Sequence, residues 1–281
     1  LIPFIPFWRS TMENDSTFKK GIYSDYTNRK FALRVSDSLY MNRHYLKDMF
    51  REIRDSPLGK KKYVYSDLNF ILAAEIIESI TDSTVDKFAT ANIYRPIGAF
   101  NITYRPAEKY PLERIVPTEY DSLFRKQLIR GTVHDEGAAM LGGVSGHAGL
   151  FATGNDLLKL VEMYRRGGEY GGVRVLSSDI VREYTSVQFP DNDNRRGLGF
   201  DKPLQGNDTV PPEEAYPCHS ASPSSYGHSG FTGTFIWVDP EAEISYVFLS
   251  NRVYPTRNNN NLSNLSIRGR ILQAVYDSRV N

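Results

Sequence analysis

Two apolar runs near the C-terminal end restrict this chain more than anything else in it. Thr234-Phe235-Ile236-Trp237-Val238, the turn Asp239-Pro240-Glu241-Ala242, and Ile244 to Leu249 spell a β-hairpin. Both strands are apolar at nearly every position. A strand with one wet face alternates apolar and polar residues, so these two require cover on both faces. The hairpin therefore belongs inside a layered domain, and the rest of the chain must supply helices to flank it.

It does so at several places. Met41 to Ile53 has apolar residues at helical spacing and is stopped by Ser56-Pro57-Leu58-Gly59. Lys60-Lys61-Lys62 then leads into Tyr63-Val64-Tyr65. From Ser66 the apolar residues Leu68, Phe70, Ile71, Leu72, Ala73, Ala74, Ile76, Ile77 and Ile80 cover most of a helix circumference, which predicts a buried helix with Ser66 or Asp67 as its N-cap. A third helix is expected over Val85 to Ile93, closed by Pro96 and Gly98. Thr153-Gly154-Asn155-Asp156 caps a helix from Leu157 to Arg166, and Ser177-Ser178-Asp179 opens one through Tyr184. The last helix runs from about Ser263 to Tyr276.

Other stretches read differently. Residues 9–36 are expected as an extended surface segment, 99–130 as a long loop, and 258–261 as a solvated asparagine run. Val133 to Thr153 is too rich in glycine for a regular element. Gly197 to Phe200 fits a short strand.

A chain of 281 residues with 40% hydrophobic content can bury a large core, and a net charge of +1 gives no field that would attract nucleic acid. Cys218 is the lone cysteine, so neither an internal disulfide nor a cysteine metal site is available. No apolar run is long enough for a membrane-spanning helix. Leu1 to Trp8 carries two prolines and no basic lead-in, unlike a signal peptide. The missing initiator Met leads us to expect a chain that starts inside a longer gene product.

The candidate chemistry sits in two triplets. Tyr65-Ser66-Asp67 opens the apolar helix, and His228-Ser229-Gly230 with Phe231 precedes the hairpin. A tyrosine at a helix entrance could shuttle protons if a nearby cation lowers its pKa; the plainer alternative is a half-buried aromatic. A glycine at position 230 would let a substrate lie along a strand edge, with the Phe231 N–H aimed at an oxyanion. Its plainer alternative is a histidine in an ordinary turn. Ser16-Thr17-Phe18-Lys19 matches Ser-x-x-Lys literally, but Ser and Lys at that spacing face each other only on a helix, and the following residues are polar. Gly143-Val144-Ser145-Gly146-His147 comes near a nucleophile elbow yet ends in histidine. His134-Asp135-Glu136 with His147 lacks metal-ligand spacing and reads as hydrogen-bonded loop residues.

In order along the chain, Tyr-x-Asp, His-Ala-Gly-Leu-Phe and His-Ser-Gly resemble the motifs of the β-lactamase-related serine hydrolase family, which spans class C β-lactamases, penicillin-binding proteins and esterases. The likeness extends over nearly the whole chain. It implies an α/β (α+β) fold, a mainly antiparallel sheet flanked by helices with a helical subdomain, lacking the N-terminal Ser-x-x-Lys part. One domain over 1–281 is expected, helical at roughly 40–190 and with its sheet portion at roughly 195–281. By resemblance, Tyr65 is the general base, Asp67 stands where an asparagine often holds the substrate amide, and His228-Ser229-Gly230 matches Lys-Thr-Gly. Tyr65, Asp67 and His228 are then the catalytic candidates, and Ser229, Gly230 and Phe231 the substrate-binding ones.

An ionised Asp67 cannot donate a hydrogen bond, and His228 is only partly charged near neutrality. Both departures point away from β-lactams toward esters or peptidoglycan-type peptides. No metal or organic cofactor is implied. The expected partners are a small-molecule or peptidoglycan-like acyl substrate, a second copy in a homodimer, and an upstream catalytic domain in the same polypeptide. The expected location is periplasmic or extracytoplasmic, and the isolated chain should be inert. The alternative is a non-catalytic ligand- or peptidoglycan-binding module on the same scaffold.

Overall fold

A computed structural model describes residues 1–14, 16–60, 62–192 and 194–279, so Lys61 of the expected lysine run lies outside the described residues. The architecture is mixed α/β, and every strand pair is antiparallel. The chain falls into two units. The first comprises 1–90, 103–151 and 254–256; the second comprises 91–102, 152–253 and 257–281.

The first unit contains α1 (Phe7–Ser10), β1 (Met12–Asn14), β2 (Thr17–Phe18), β3 (Tyr23–Ser24), β4 (Phe31–Ser36), β5 (Leu39–Asn42), α2 (Leu46–Arg54), α3 (Asp67–Thr81), α4 (Val85–Ala89), β6 (Glu119–Asp121), β7 (Gln127–Ile129) and α5 (Glu136–Met140). Strands β3, β5 and β4 form one three-stranded sheet with β5 central. Phe7, Val35, Met41, Met49, Leu68, Phe124 and Met140 are all at most 2% exposed and share one core.

Four expectations change here. Residues 9–36 are not a featureless surface segment: they hold four strands, and Phe18 and Tyr23 pack on Phe124 with ring centroids 6.0 and 5.8 Å from it. The helix expected from Met41 starts at Leu46. Met41 is instead fully buried in β5, and the Asn42 side chain accepts from His44 N–H to open a 3-10 turn before the helix. In α3 only a stripe of Leu68, Ile71 and Ala74 is buried, while Ile76 and Ile80 are 57% and 78% exposed. Apolar residues all round a helix demand cover, yet only the stripe facing the core receives it. Ser66 does occupy the N-cap position, but its hydroxyl donates to Ile2 O at 2.7 Å instead of capping.

The glycine-rich stretch also holds a regular element. Asp135 accepts from Ala138 N–H at 2.7 Å and starts α5 despite Gly137. Within 99–130, the Asp121 carboxylate collects the N–H groups of Leu123 and Phe124 and closes the β6–β7 hairpin. The third helix runs from Val85 and continues past α4 as a π turn over Thr90–Tyr94.

The second unit contains α6 (Gly154–Arg165), β8 (Glu169–Tyr170), β9 (Val173–Arg174), α7 (Ser178–Thr185), β10 (Tyr226–Ser229), β11 (Phe235–Asp239), β12 (Ile244–Phe248), α8 (Asn261–Asn264) and α9 (Ile267–Asp277). The apolar hairpin is β11–β12, with β10 added at the edge in the order β10-β11-β12. Its two faces are both covered. Val161 of α6 packs with Tyr226 and Val238 on one side, and Leu272 of α9 packs with Phe235 and Trp237 on the other. Side chains alternate across a strand, so Phe235 and Trp237 share the α9 face while Ile236 and Val238 share the α6 face.

Thr153 and Ser177 cap α6 and α7 as their side chains suggest, accepting from Asp156 N–H and Ile180 N–H. Gly197 to Phe200 is not a strand; pairing there is confined to a single bridge between Asp201 and Gly227. The last helix begins at Ile267, and α8 takes up the end of the asparagine run.

Helix α6 is tied to the sheet by Glu162. Its carboxylate accepts from Arg165, Arg166 and, at 2.7 Å, from Ser245 Oγ on β12. The Arg165 hydrogen bond leads in holding its pKa down at about 2, against burial. A carboxyl depressed in the fold contributes stability above its unfolded value, and this is lost as pH falls through the folded one. Glu162→Gln should cost about 1–2 kcal/mol at pH 7, allowing for screening. Urea unfolding at pH 7 and pH 2 checks this; the difference should shrink to a small remainder at the lower pH, where about half of the group is protonated in the fold.

Candidate functional site

The residues singled out from sequence divide between the units. Tyr65 and Asp67 belong to the first, and His228, Ser229, Gly230 and Phe231 to the second.

Tyr65 is 48% exposed, two residues ahead of α3. Asp67 is the first residue of that helix, and its backbone N–H donates to Pro3 O. Burial raises the Asp67 carboxyl above its ordinary value; the charge of His147 opposes this and that of Asp135 adds to it. The shift is toward the protonated acid, the form that has an O–H to donate.

His147 belongs to a chain of side chains that the sequence shows only as loop residues. Its Nε2 lies 2.9 Å from Asp135 Oδ1 and its Nδ1 lies 2.8 Å from Ser145 Oγ. With Nε2 facing the carboxylate, the Nδ1 contact is a hydrogen bond with the serine hydroxyl whose donor depends on the ring tautomer. Burial raises the Asp135 carboxyl, but the His147 hydrogen bond and charge outweigh it and keep the group ionised. The order Ser–His–Asp has the look of a hydrolytic triad, yet Ser145 is only 3% exposed. The neighbouring Gly146 sits so close to α3 that a Cβ would lie 2.1 Å from Phe70 O. We read this chain as a clamp holding the glycine-rich loop against α3. The other histidine of the stretch, His134, is bonded to Glu119 at 2.6 Å. Nothing in the residue types separated these two pairings; only the folded path of the loop does.

In the second unit, His228 and Ser229 end β10 instead of opening the hairpin, and Gly230 to Gly233 form the turn into β11, closed by Gly230 N–H to Thr234 O at 2.8 Å. A Cβ on Gly230 would meet Thr234 Oγ1 at 2.2 Å, so its bareness serves the turn itself. β10 is the outer strand of the sheet, and its far edge is met at Gly227 by Asp201, whose N–H donates to Gly227 O at 2.7 Å and whose O accepts from Gly227 N–H at 3.0 Å. Two guanidinium groups brace the turn: Arg268 donates to Gly230 O and Arg252 to Phe231 O, both at 2.8 Å. Arg252 also stands 4.5 Å from the centroid of the Phe231 ring, which is 59% exposed. Burial, then the Arg196 charge, push the His228 imidazole below its ordinary value. His228 is therefore neutral at pH 7, and the positive charge near this turn comes from the arginines.

Ser16 and Lys19 do not face each other across a helical turn. Ser16 lies in a turn with its hydroxyl 2.9 Å from Asn14 Oδ1, β2 follows, and Lys19 Nζ donates to Ser10 O at 2.9 Å.

Among known proteins, a family model described as beta-lactamase matches residues 19–267. A protein of Escherichia coli O157:H7 named "Putative D-alanyl-D-alanine carboxypeptidase" is 34% identical over 228 residues, 76% of this chain and 51% of its own length. One of Salmonella typhi with the same name is 33% identical over 240 residues, 80% and 54%. The chain spans about half the length of the curated relatives it matches. A simvastatin synthase mutant of Aspergillus terreus shares the fold with a TM-score of 0.54 at 15% identity, covering 84% of this chain and 61% of that one. An octameric penicillin-binding protein homologue from Pyrococcus abyssi does so with a TM-score of 0.52 at 15% identity, covering 95% and 54%.

Proposed function

The chain belongs to the beta-lactamase family, and from that premise we propose that it is part of a serine acyl hydrolase acting on an ester or a peptidoglycan-type peptide, with a β-lactam as the less favoured substrate. The observation that carries this reading is a Tyr-x-Asp triplet whose Asp67 opens α3, in a chain whose His-Ser-Gly triplet runs from the end of an edge strand of an antiparallel sheet into the following turn. Tyr65 is assigned proton transfer, Asp67 a hydrogen bond to the substrate, and Phe231 N–H part of the oxyanion hole. His228, Ser229 and Gly230 are assigned to substrate binding. The carboxypeptidase names of the relatives favour a peptide carrying a free carboxylate, and an extracytoplasmic location with it.

The acylated serine is not assigned to these residues, and the chain by itself is expected to be inert. Ser16 and Lys19 support this, since their separate partners leave the lysine no path to the hydroxyl. A neutral His228 favours the second reading, a non-catalytic ligand- or peptidoglycan-binding module on the same scaffold. Association into a homodimer and a helical portion over roughly 40–190 within one domain belong to the same proposal.

Two measurements test it. The purified chain, offered p-nitrophenyl acetate and a chromogenic cephalosporin, should show no turnover, and Ser16→Ala should change nothing; robust turnover lost in that variant defeats the inert reading. In the full-length gene product, Tyr65→Phe should lower kcat for a D-alanyl peptide by about 10²–10⁴. An unchanged kcat there would leave the binding module as the better account.

A further inference from the structure

The second unit holds a cavity of about 460 Å³ that none of the chemistry above uses. It opens between α7, the end of α6 and the stretch around Ser224, all within that unit. Its size is in the range of small-molecule sites. Three cations line it, Arg165, Arg182 and Lys202, and none of the residues lining it is acidic. Arg165 and Arg182 are paired to Glu162 and Asp179. Lys202 is different. It is 7% exposed, and its ammonium donates only to two backbone carbonyls, Ser224 O at 3.2 Å and Ser225 O at 3.0 Å, with no ion pair among the described residues. A buried ammonium held only by neutral acceptors carries a charge that the fold offsets only in part, through the Asp239 carboxylate beyond ion-pair distance. The walls beside it are aromatic: Lys202 Nζ is 5.9 Å from the Tyr226 ring centroid, and Tyr164 lines the same space.

We propose that this cavity is a binding site for a small organic anion, whose carboxylate or phosphate group is held by Lys202 and Arg182 while its apolar body lies against Tyr164 and Tyr226. Charge supplies the first half of the argument, since an anion provides the counter-charge that the wall lacks. Shape supplies the second, since a bare ion would leave most of the volume and both rings unused. Burial pushes the Lys202 amine down to about 8, so a sizeable neutral fraction exists at mildly alkaline pH, and a bound anion should drive that value back up.

Pyridoxal 5′-phosphate tests both features at once. Its phosphate reports the anion site, and its aldehyde reports the amine. The Nζ lone pair adds to the aldehyde carbon, the oxygen leaves as water, and borohydride delivers hydride to the resulting C=N to leave a stable secondary amine. At pH 8, with limiting reagent and peptide mass spectrometry, Lys202 should carry at least about tenfold more label than exposed lysines such as Lys20 and Lys87. Inorganic phosphate or benzoate should protect Lys202 and leave the others unchanged; the stronger protector identifies the preferred head group. Arg182→Ala, a change at an exposed side chain, should lower Lys202 labelling about fivefold without altering Lys20 or Lys87. Labelling of Lys202 no faster than that of the exposed lysines overturns the proposal. So does fast labelling that neither anion nor Arg182→Ala affects, because that would be a reactive amine without an anion site. Neither result bears on Tyr65 or Phe231.

Discussion

Arg125→Ala is expected to lower the stability of the first unit by about 3–5 kcal/mol, read by urea unfolding at pH 7. The Arg125 and Asp121 side chains are both fully buried and meet at 2.7 Å. Arg125 also donates to Val133 O at 2.7 Å and to His134 O at 2.5 Å, so one guanidinium ties the β6–β7 hairpin to the start of the glycine-rich stretch. Removing it leaves two carbonyls without their donor and the Asp121 carboxylate buried without its counter-charge. Burial would raise the Asp121 carboxyl, and the Arg125 charge and hydrogen bond presently outweigh this and hold it down. Domains of ordinary stability have about 5–15 kcal/mol in all, so this one change consumes a large share. Replacing both partners with apolar residues of similar size should cost far less, since no charge is then stranded. A loss under about 1 kcal/mol for Arg125→Ala would show that water reaches the pair. The same variant should loosen His134 and Asp135, and through Asp135 the clamp on His147.

The features legible in the sequence are those whose causes are local. The β11–β12 hairpin announces itself through apolar residues on both faces, and Thr153 and Ser177 through the helices they cap. Features decided by distant partners were not legible. Met41 reads equally well as helix or strand, and β3 and β4 on either side of it settle the choice. Glu119–Asp121 and Gln127–Ile129 carry too little pattern to predict strands; the Asp121 carboxylate and Arg125 make the hairpin by folding back on it. The two triplets could be recognised by their letters, but their environments could not. The protonation bias of Asp67 comes from burial, opposed by His147 and reinforced by Asp135, two residues some seventy to eighty positions away. The Ser66 hydroxyl looks like a cap until Ile2 O takes it.

Trp237→Ala should cost the second unit about 3–5 kcal/mol and disturb the strand that carries His228. The indole is fully buried, stacked on Phe235 at 5.6 Å and edge-on to Tyr216 at 6.0 Å. Its register partner on β10 is Gly227, where a Cβ would lie 2.4 Å from the indole Cε3 and 2.1 Å from Ile236 O. The bare glycine and the large ring are therefore one packing decision, and truncating the ring opens a void directly against the backbone next to His228. Trp237→Phe should cost less, because the indole N–H has no hydrogen-bond partner among the described residues and its removal relieves a buried unsatisfied donor. The functional readout is the His228 titration followed by NMR. Burial is the main cause of its depressed pKa; His228 shares a face with its partner Ile236, opposite the void, so the value should move upward toward that of an ordinary histidine only through loosening of β10 itself. A stability loss of the expected size with an unmoved His228 would mean that β10 is held by its hydrogen bonds to β11 alone, and that the ring packs the sheet without setting the electrostatics of the turn.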